Sequence, residues 1–125
     1  MKTPSPLSIK IRFYSGDEIA MGPGKADLLA AIEHEGSISA AGRAMGMSYR
    51  RTWLLVDAMN RCWREPLVQT AAGGSHGGGA RLTPLGIIVL AQYRALQERV
   101  ADAAAGEELT ALVAAVLPEP KPAQG

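Results

Sequence analysis

Hydrophobic and polar positions alternate near the start of the chain, over residues 7–14. Alternation with a period of two is typical of a strand with one buried face. The polar run Ser15–Glu18 can then form a turn, after which Glu18–Met21 can return as a second strand. We therefore predict an N-terminal β-hairpin. Its first strand would bury four alternating positions: Leu7, Ile9, Ile11 and Phe13.

The pattern changes to helical spacing after Lys25. Leu28, Leu29 and Ile32 fall on one helix face, and Gly36 follows as a residue suited to a C-terminal cap. The sequence predicts a first helix over this segment.

The run GSISAAGRAMGMSYRRTWLLVDAMNRCWRE predicts two helices joined by a short turn. We expect Ser39 to cap the first, Gly46 to end it and Ser48 to cap the second. Two closely linked helices of this kind form a helix-turn-helix, whose second helix enters the DNA major groove. The buried stripe of that second helix would contain Thr52, Val56, Met59 and Trp63.

A glycine-rich segment follows this pair of helices. Leu67–Thr70 has strand character, and Ala80–Leu82 can pair back with it across the glycines. A phosphate-binding loop is disfavoured, because no lysine follows the glycines and a short strand intervenes before the next helix. We predict the wing of a winged helix-turn-helix, with a tip that either approaches DNA phosphates or contacts nothing.

A long helix is predicted from Thr83, its N-cap, to Ala105, with Pro84 in the first turn. Two apolar stripes run along it, more than one domain needs to bury, so we predict that this helix forms a dimer interface. Residues 106–117 should form a short amphipathic helix and residues 118–125 a disordered tail, leaving 1–105 as the DNA-binding and dimerisation domain. The interface candidates are Leu85, Ile88, Val89, Gln92, Leu96 and Val100.

Composition excludes several classes of protein. The single cysteine, Cys62, allows no internal disulfide, and with only two histidines no metal-ligand spacing appears. The chain has neither an apolar run long enough to cross a membrane nor a signal peptide, so we expect a cytoplasmic protein. No nucleophile, base and orienting residue converge, so we expect neither an enzyme nor a cofactor.

Positive charge is concentrated in the middle of the chain. Residues 43–81 contain six arginines against two acids, although the net charge of the whole chain is only +1. An arginine-rich block suits a polyanionic partner, which predicts binding to double-stranded DNA. Solvent exposure alone remains an alternative for Arg43 and Arg51, and core packing for Trp53. The DNA-binding candidates are Arg43, Ser48, Tyr49, Arg50, Arg51, Trp53, Ser75, His76 and Arg81.

Residues 27–99 resemble the N-terminal DNA-binding domain of the molybdate-responsive ModE regulators, and more distantly the LysR-type winged helix. The resemblance rests on the Gly-Ser-Ile-Ser opening and on the Ser-Tyr-Arg start of the second helix, with Trp53 and Met59-Asn60 behind it. It also rests on the glycine-rich wing that ends in Leu82-Thr83 and Gly86. It implies a cytoplasmic homodimer that binds a pseudo-palindromic operator and takes part in molybdenum homeostasis.

The chain departs from that family in one respect, because the paired molybdate-binding domains of its full-length members have no counterpart here. We therefore expect a naturally short regulator without a small-molecule effector. The alternative is a protein-interaction module, or an antagonist that forms heterodimers with a longer regulator.

Overall fold

The computed structural model describes residues 6–71 and 79–124, and within these ranges the protein is mainly helical with two small hairpins. This arrangement confirms the winged helix-turn-helix with an N-terminal β-hairpin and a long C-terminal helix. In chain order the elements are β1 (Phe13–Ser15), β2 (Glu18–Met21), α1 (Pro23–Glu35), α2 (Ile38–Ala44), α3 (Tyr49–Cys62), β3 (Val68–Thr70), β4 (Ala80–Leu82), α4 (Pro84–Ala104) and α5 (Glu107–Ala115).

Helices α1, α2 and α3 pack around one hydrophobic core. Helix α1 buries Leu28, Leu29 and Ile32, as its spacing predicts, and Gly36 ends it with a left-handed φ of 76°. The N-cap of α2 is a correction to the sequence-based expectation. Ser37, not Ser39, accepts a hydrogen bond through its side chain, from Ala40 N at 3.0 Å, because the helix begins at Ile38 and places Ser39 inside the first turn.

Helix α3 begins where the sequence predicts. The Ser48 hydroxyl oxygen accepts a hydrogen bond from Arg51 N at 3.1 Å, and Gly46 turns the chain between α2 and α3 with a φ of 69°. Thr52, Val56 and Met59 are buried, which confirms three of the four positions of the predicted stripe. The fourth, Trp63, is half-buried just beyond the helix and donates to Ala20 O at 3.1 Å. Hence α3 is held against both α2 and β2.

The wing is an antiparallel hairpin of β3 and β4, in which Val68 pairs with Leu82 and Gln69 with Arg81. Its root is fixed by backbone hydrogen bonds, since Ala80 N donates to Gly36 O at 2.8 Å and Thr83 N donates to Leu67 O at 2.9 Å. The root of the wing is therefore anchored to the end of α1 and to the start of α4, and this fixes the direction in which the hairpin projects.

The N-terminal hairpin is shorter than the alternating pattern predicts. Its first strand begins at Phe13 rather than Leu7, and three of the four positions expected to be buried are exposed: Leu7, Ile9 and Phe13. The segment before Phe13 instead lies along α4, where the Tyr93 hydroxyl donates to Ile11 O at 2.6 Å. Alternation indicates an extended chain, but it does not specify what the chain packs against. Here the extended segment packs against helix α4 rather than pairing with another strand.

Helix α4 has the predicted N-cap, because the Thr83 hydroxyl oxygen accepts from Gly86 N at 2.9 Å. Helix α5 follows Gly106 and has no buried residue. In the ranges 6–71 and 79–124, no helix has both the length and the apolar character needed to cross a membrane.

Candidate nucleic-acid interface

One side of α3 points away from the protein and carries large side chains. The residues opposite its buried stripe are Arg50, Leu54, Asp57 and Arg61, which we call the outer face of α3, and all four are exposed. Tyr49 and Trp53 lie beside this face and are 63% and 37% exposed. A shallow groove runs between Tyr49, Arg50, Trp53, Leu54 and Asp57.

The arginines of α3 differ in their partners. Arg61 forms ion pairs with Asp57 at 2.9 Å and Glu18 at 3.1 Å, and these hydrogen bonds raise its pKa. Within the described ranges, by contrast, the side chains of Arg50 and Arg51 form neither an ion pair nor a hydrogen bond. Two cations are thus available for an external anion at the start of the helix.

The position of Arg50 and Arg51 is electrostatically unfavourable within the chain itself. Both residues lie in the first turn of α3, which contains no acidic residue. The helix dipole disfavours cations there, by about 0.3 to 1 kcal/mol each at an exposed site. A phosphate near this turn would be attracted by both guanidinium groups and by the free N–H groups of the helix end.

The two aromatic residues of α3 contact each other. The rings of Tyr49 and Trp53 lie 6.0 Å apart at 81°, in an edge-to-face arrangement. Because Trp53 is 37% exposed, it lies at the surface rather than in the core. Ser48, also exposed, uses its hydroxyl oxygen as the N-cap of α3.

The remaining DNA-binding candidates lie on α2 and on the wing. Arg43 is exposed in the last turn of α2, and Arg81 is exposed on β4 beside Gln69. Ser75 and His76 lie outside the described residues. The structure thus places Arg43, Arg81 and the start of α3 on the surface.

Asn60 connects α3 to the wing. Its Oδ1 atom accepts hydrogen bonds from Leu67 N at 2.9 Å and from Val68 N at 3.0 Å, and its Nδ2 atom donates to Val68 O at 3.1 Å. One amide side chain thereby joins the end of α3 to the start of β3. No structural role was predicted for Asn60, although it is among the residues that carry the family resemblance, because a single amide on a helix gives no periodic signal.

The interface candidates on α4 differ in exposure. Ile88 is 55% exposed, Leu96 is half-buried and Gln92 is exposed, and these three residues line an apolar groove with Phe13. Leu85 and Val100 are half-buried, whereas Val89 belongs to the core of its own chain. The part of this stripe that another molecule can reach is therefore centred on Ile88.

Other reactive residues do not converge. Cys62 is half-buried, and the His34 ring lies 2.6 Å from the Glu35 carboxylate in an exposed pair. Across the described parts of the chain, no group of three or more histidine, cysteine or acidic side chains could hold a metal ion.

Leu54 is a further residue for which no role was predicted from the sequence. It is 57% exposed at the centre of the outer face of α3. Its place midway between Thr52 and Val56 could have indicated this exposure, since helical spacing puts it opposite the buried stripe.

Comparison with known proteins finds relatives that match part of the chain. The chain is 49% identical over 81 residues to the molybdenum-pterin-binding protein MopB of Rhodobacter capsulatus, with 65% of this chain and 30% of that protein aligned. It is 45% identical over 78 residues to the molybdenum transport protein ModE of Azotobacter vinelandii, with 62% and 29% aligned. No family model matches the chain.

A third relative is named for its DNA binding. The DNA-binding transcriptional dual regulator ModE of Escherichia coli strain K12 is 34% identical over 100 residues, which cover 75% of this chain and 38% of that protein. The chain thus aligns with well under half the length of these relatives. They are regulators, transport proteins and binding proteins rather than enzymes, in agreement with the expectation that the chain is not an enzyme.

Proposed function

The chain is homologous to the N-terminal region of the ModE regulators, and we propose that it binds DNA sequence-specifically to regulate transcription. The observation that carries this proposal is the pair of unpartnered arginines, Arg50 and Arg51, at the exposed start of α3. Cations at a helix N-terminus are disfavoured by the helix dipole, and a polyanion bound at this turn would offset that cost.

In the proposed complex, α3 enters the major groove with its first turn nearest the bases. Arg50 contacts a base edge, since guanidinium groups form bidentate hydrogen bonds with guanine O6 and N7. Arg51 and Arg43 contact the flanking phosphates, and Ser48, Tyr49 and Trp53 contact the DNA backbone around them. The wing approaches the adjacent phosphates through Arg81, together with Ser75 and His76.

We further propose that the active species is a homodimer formed through α4. The exposed apolar groove around Ile88 supports this, because an isolated domain gains nothing from leaving such a surface in water. A two-fold dimer presents identical α3 helices to equivalent half-sites, so the operator would be a pseudo-palindrome. By analogy with the named relatives, the regulated genes would serve molybdenum homeostasis.

Selection from a random duplex library, followed by titration across a salt series, tests the proposal. We expect enrichment of a two-fold symmetric sequence. Binding should also weaken as salt rises, by about 0.9 logarithmic units per phosphate contact for each tenfold increase in salt concentration. Recovery of no preferred sequence, with equal weak binding to all duplexes, would contradict it. Binding only to a longer regulator of the same family would support the heterodimeric antagonist instead.

A further inference from the structure

Leu54 is an exposed leucine placed where the proposed function requires base contact. It follows Arg50 by four residues, and the two side chains therefore lie one above the other on the outer face of α3. Leu54 is 57% exposed and lines the groove that also contains Tyr49 and Trp53. An apolar side chain in this position adds nothing to the core of the chain.

We propose that Leu54 is a specificity-determining residue that packs against a thymine methyl group in the major groove. The proposal rests on the proposed DNA-binding function and names a base that this helix selects. Thymine is the base whose C5-methyl group projects into the major groove, and apolar side chains recognise it there.

Charge on the surrounding surface favours DNA over a protein as the occupant of this groove. Arg50 and Arg51 carry positive charge at the same end of α3, and within the described residues neither is neutralised by an acid. The carboxylate of Asp57, one turn after Leu54, is held by Arg61 at 2.9 Å. A polyanion can therefore approach Leu54 from the N-terminal end of α3, where Arg50 and Arg51 carry positive charge.

Arg50 and Leu54 would then select neighbouring bases by different chemistry. The guanidinium group of Arg50 donates hydrogen bonds, whereas Leu54 offers only dispersion and burial. Burying one methyl group corresponds to about a fourfold gain in affinity. The selected half-site should accordingly contain a guanine for Arg50 and, within one or two base pairs of it, a thymine for Leu54.

The test uses the full chain and the duplex selected from a random library, in which each thymine is replaced in turn by uracil. Uracil keeps the base pair and lacks only the C5-methyl group. For the wild-type chain we expect one position per half-site at which uracil weakens binding about fourfold. In Leu54→Ala the overall affinity should fall, and uracil at that same position should have no further effect.

Leu117→Ala provides a matched control, because Leu117 is 51% exposed and lies outside the helices. Its uracil profile should equal that of the wild type. Unchanged sensitivity to uracil in Leu54→Ala, or no sensitive thymine in the wild type, would overturn the role of Leu54 while leaving DNA binding intact. Failure of the wild-type chain to select any sequence would instead contradict the proposed function itself, and with it this inference.

Discussion

Gly42 of α2 lies directly against Thr52 of α3, so closely that a methyl group on Gly42 would overlap Thr52 Oγ1 and lie 3.0 Å from Thr52 Cβ. This contact sets the distance between the two helices of the helix-turn-helix. Thr52 has little freedom to move away, because it is fully buried and its hydroxyl donates to Ser48 O at 2.7 Å.

Gly42→Ala should therefore destabilise the protein. Alanine favours a helix over glycine by about 1 kcal/mol, but overpacking a core contact costs about 1 to 3 kcal/mol, so we expect a net loss. Urea denaturation followed by circular dichroism measures it. The control is Gly24→Ala in α1, where an added methyl group meets nothing within 4 Å and stability should stay equal or rise. Equal stability changes in the two variants would show that α2 and α3 are not in close contact.

The sequence predicted those parts of the fold that depend on local periodicity. The buried positions Thr52, Val56 and Met59 follow from the 3.6-residue helical repeat, which holds in any environment. The contacts that a capping residue or an extended segment makes were harder to predict from the sequence. Both Ser37 and Ser39 can cap a helix, and the alternation of Leu7 and Ile9 fits a sheet as well as the side of α4, so tertiary packing decided each case.

In the candidate site, too, some residues could be predicted from the sequence and others could not. Arg50 stands out by its charge and its place after Ser48. The structural role of Asn60 does not, because it depends on Leu67 and Val68, seven and eight residues later, whose backbone groups only the folded chain brings to it.

Asn60→Ala should loosen the wing. The change removes the two hydrogen bonds that Asn60 accepts and the one that it donates. Leaving the buried backbone groups of Leu67 and Val68 without partners lowers the free energy of unfolding by about 1 to 3 kcal/mol. We expect a stability loss of that size in urea denaturation and faster amide hydrogen exchange at Leu67 and Val68. Gln69→Ala, an exposed amide on the same strand, should change neither quantity. Unaltered exchange in Asn60→Ala would show that other contacts hold β3.

Tyr93 gives stability a dependence on alkaline pH. Burial raises the pKa of its phenol above the ordinary value of about 10. Between the ordinary and the raised pKa the unfolded chain releases the proton while the folded chain retains it, so stability falls as pH rises through this window. Below it the contribution is fully present.

Tyr93→Phe should lose about 1 kcal/mol at neutral pH, the usual contribution of one hydrogen bond, here to Ile11 O. The difference in urea midpoint between wild type and variant should shrink as pH rises from about 9 to about 11, because the variant has no phenol to titrate. A constant difference over that range would mean that Tyr93 does not titrate with folding.

Ile88→Lys should disrupt the proposed dimer. Ile88 is 55% exposed on α4, so the single chain can tolerate a charge there, whereas an apolar interface cannot bury one unpaired. We expect sedimentation to show a dimer for the wild type and a monomer for Ile88→Lys, with unchanged circular dichroism. Glu98→Lys, an exposed change on the same helix, should remain dimeric. A monomeric wild type at micromolar concentration would rule out the interface.

Arg50 and Arg81 should respond differently to alanine substitution, because they are proposed to contact different parts of the DNA. If Arg50 forms hydrogen bonds with a base edge, Arg50→Ala should cost about 1 to 3 kcal/mol per half-site on the selected operator and much less on random duplex. Arg81→Ala should instead weaken binding to both duplexes alike. It should also make the salt dependence shallower by about one unit per subunit.

Both variants should remain folded, because each side chain is exposed and forms no hydrogen bond or ion pair within residues 6–71 and 79–124. Titration of each variant with operator and random duplex across a salt series separates the two roles. The ratio of specific to nonspecific affinity should collapse for Arg50→Ala and hold for Arg81→Ala. Equal losses on the two duplexes for Arg50→Ala would place Arg50 at a phosphate, and base recognition would then have to come from elsewhere on α3.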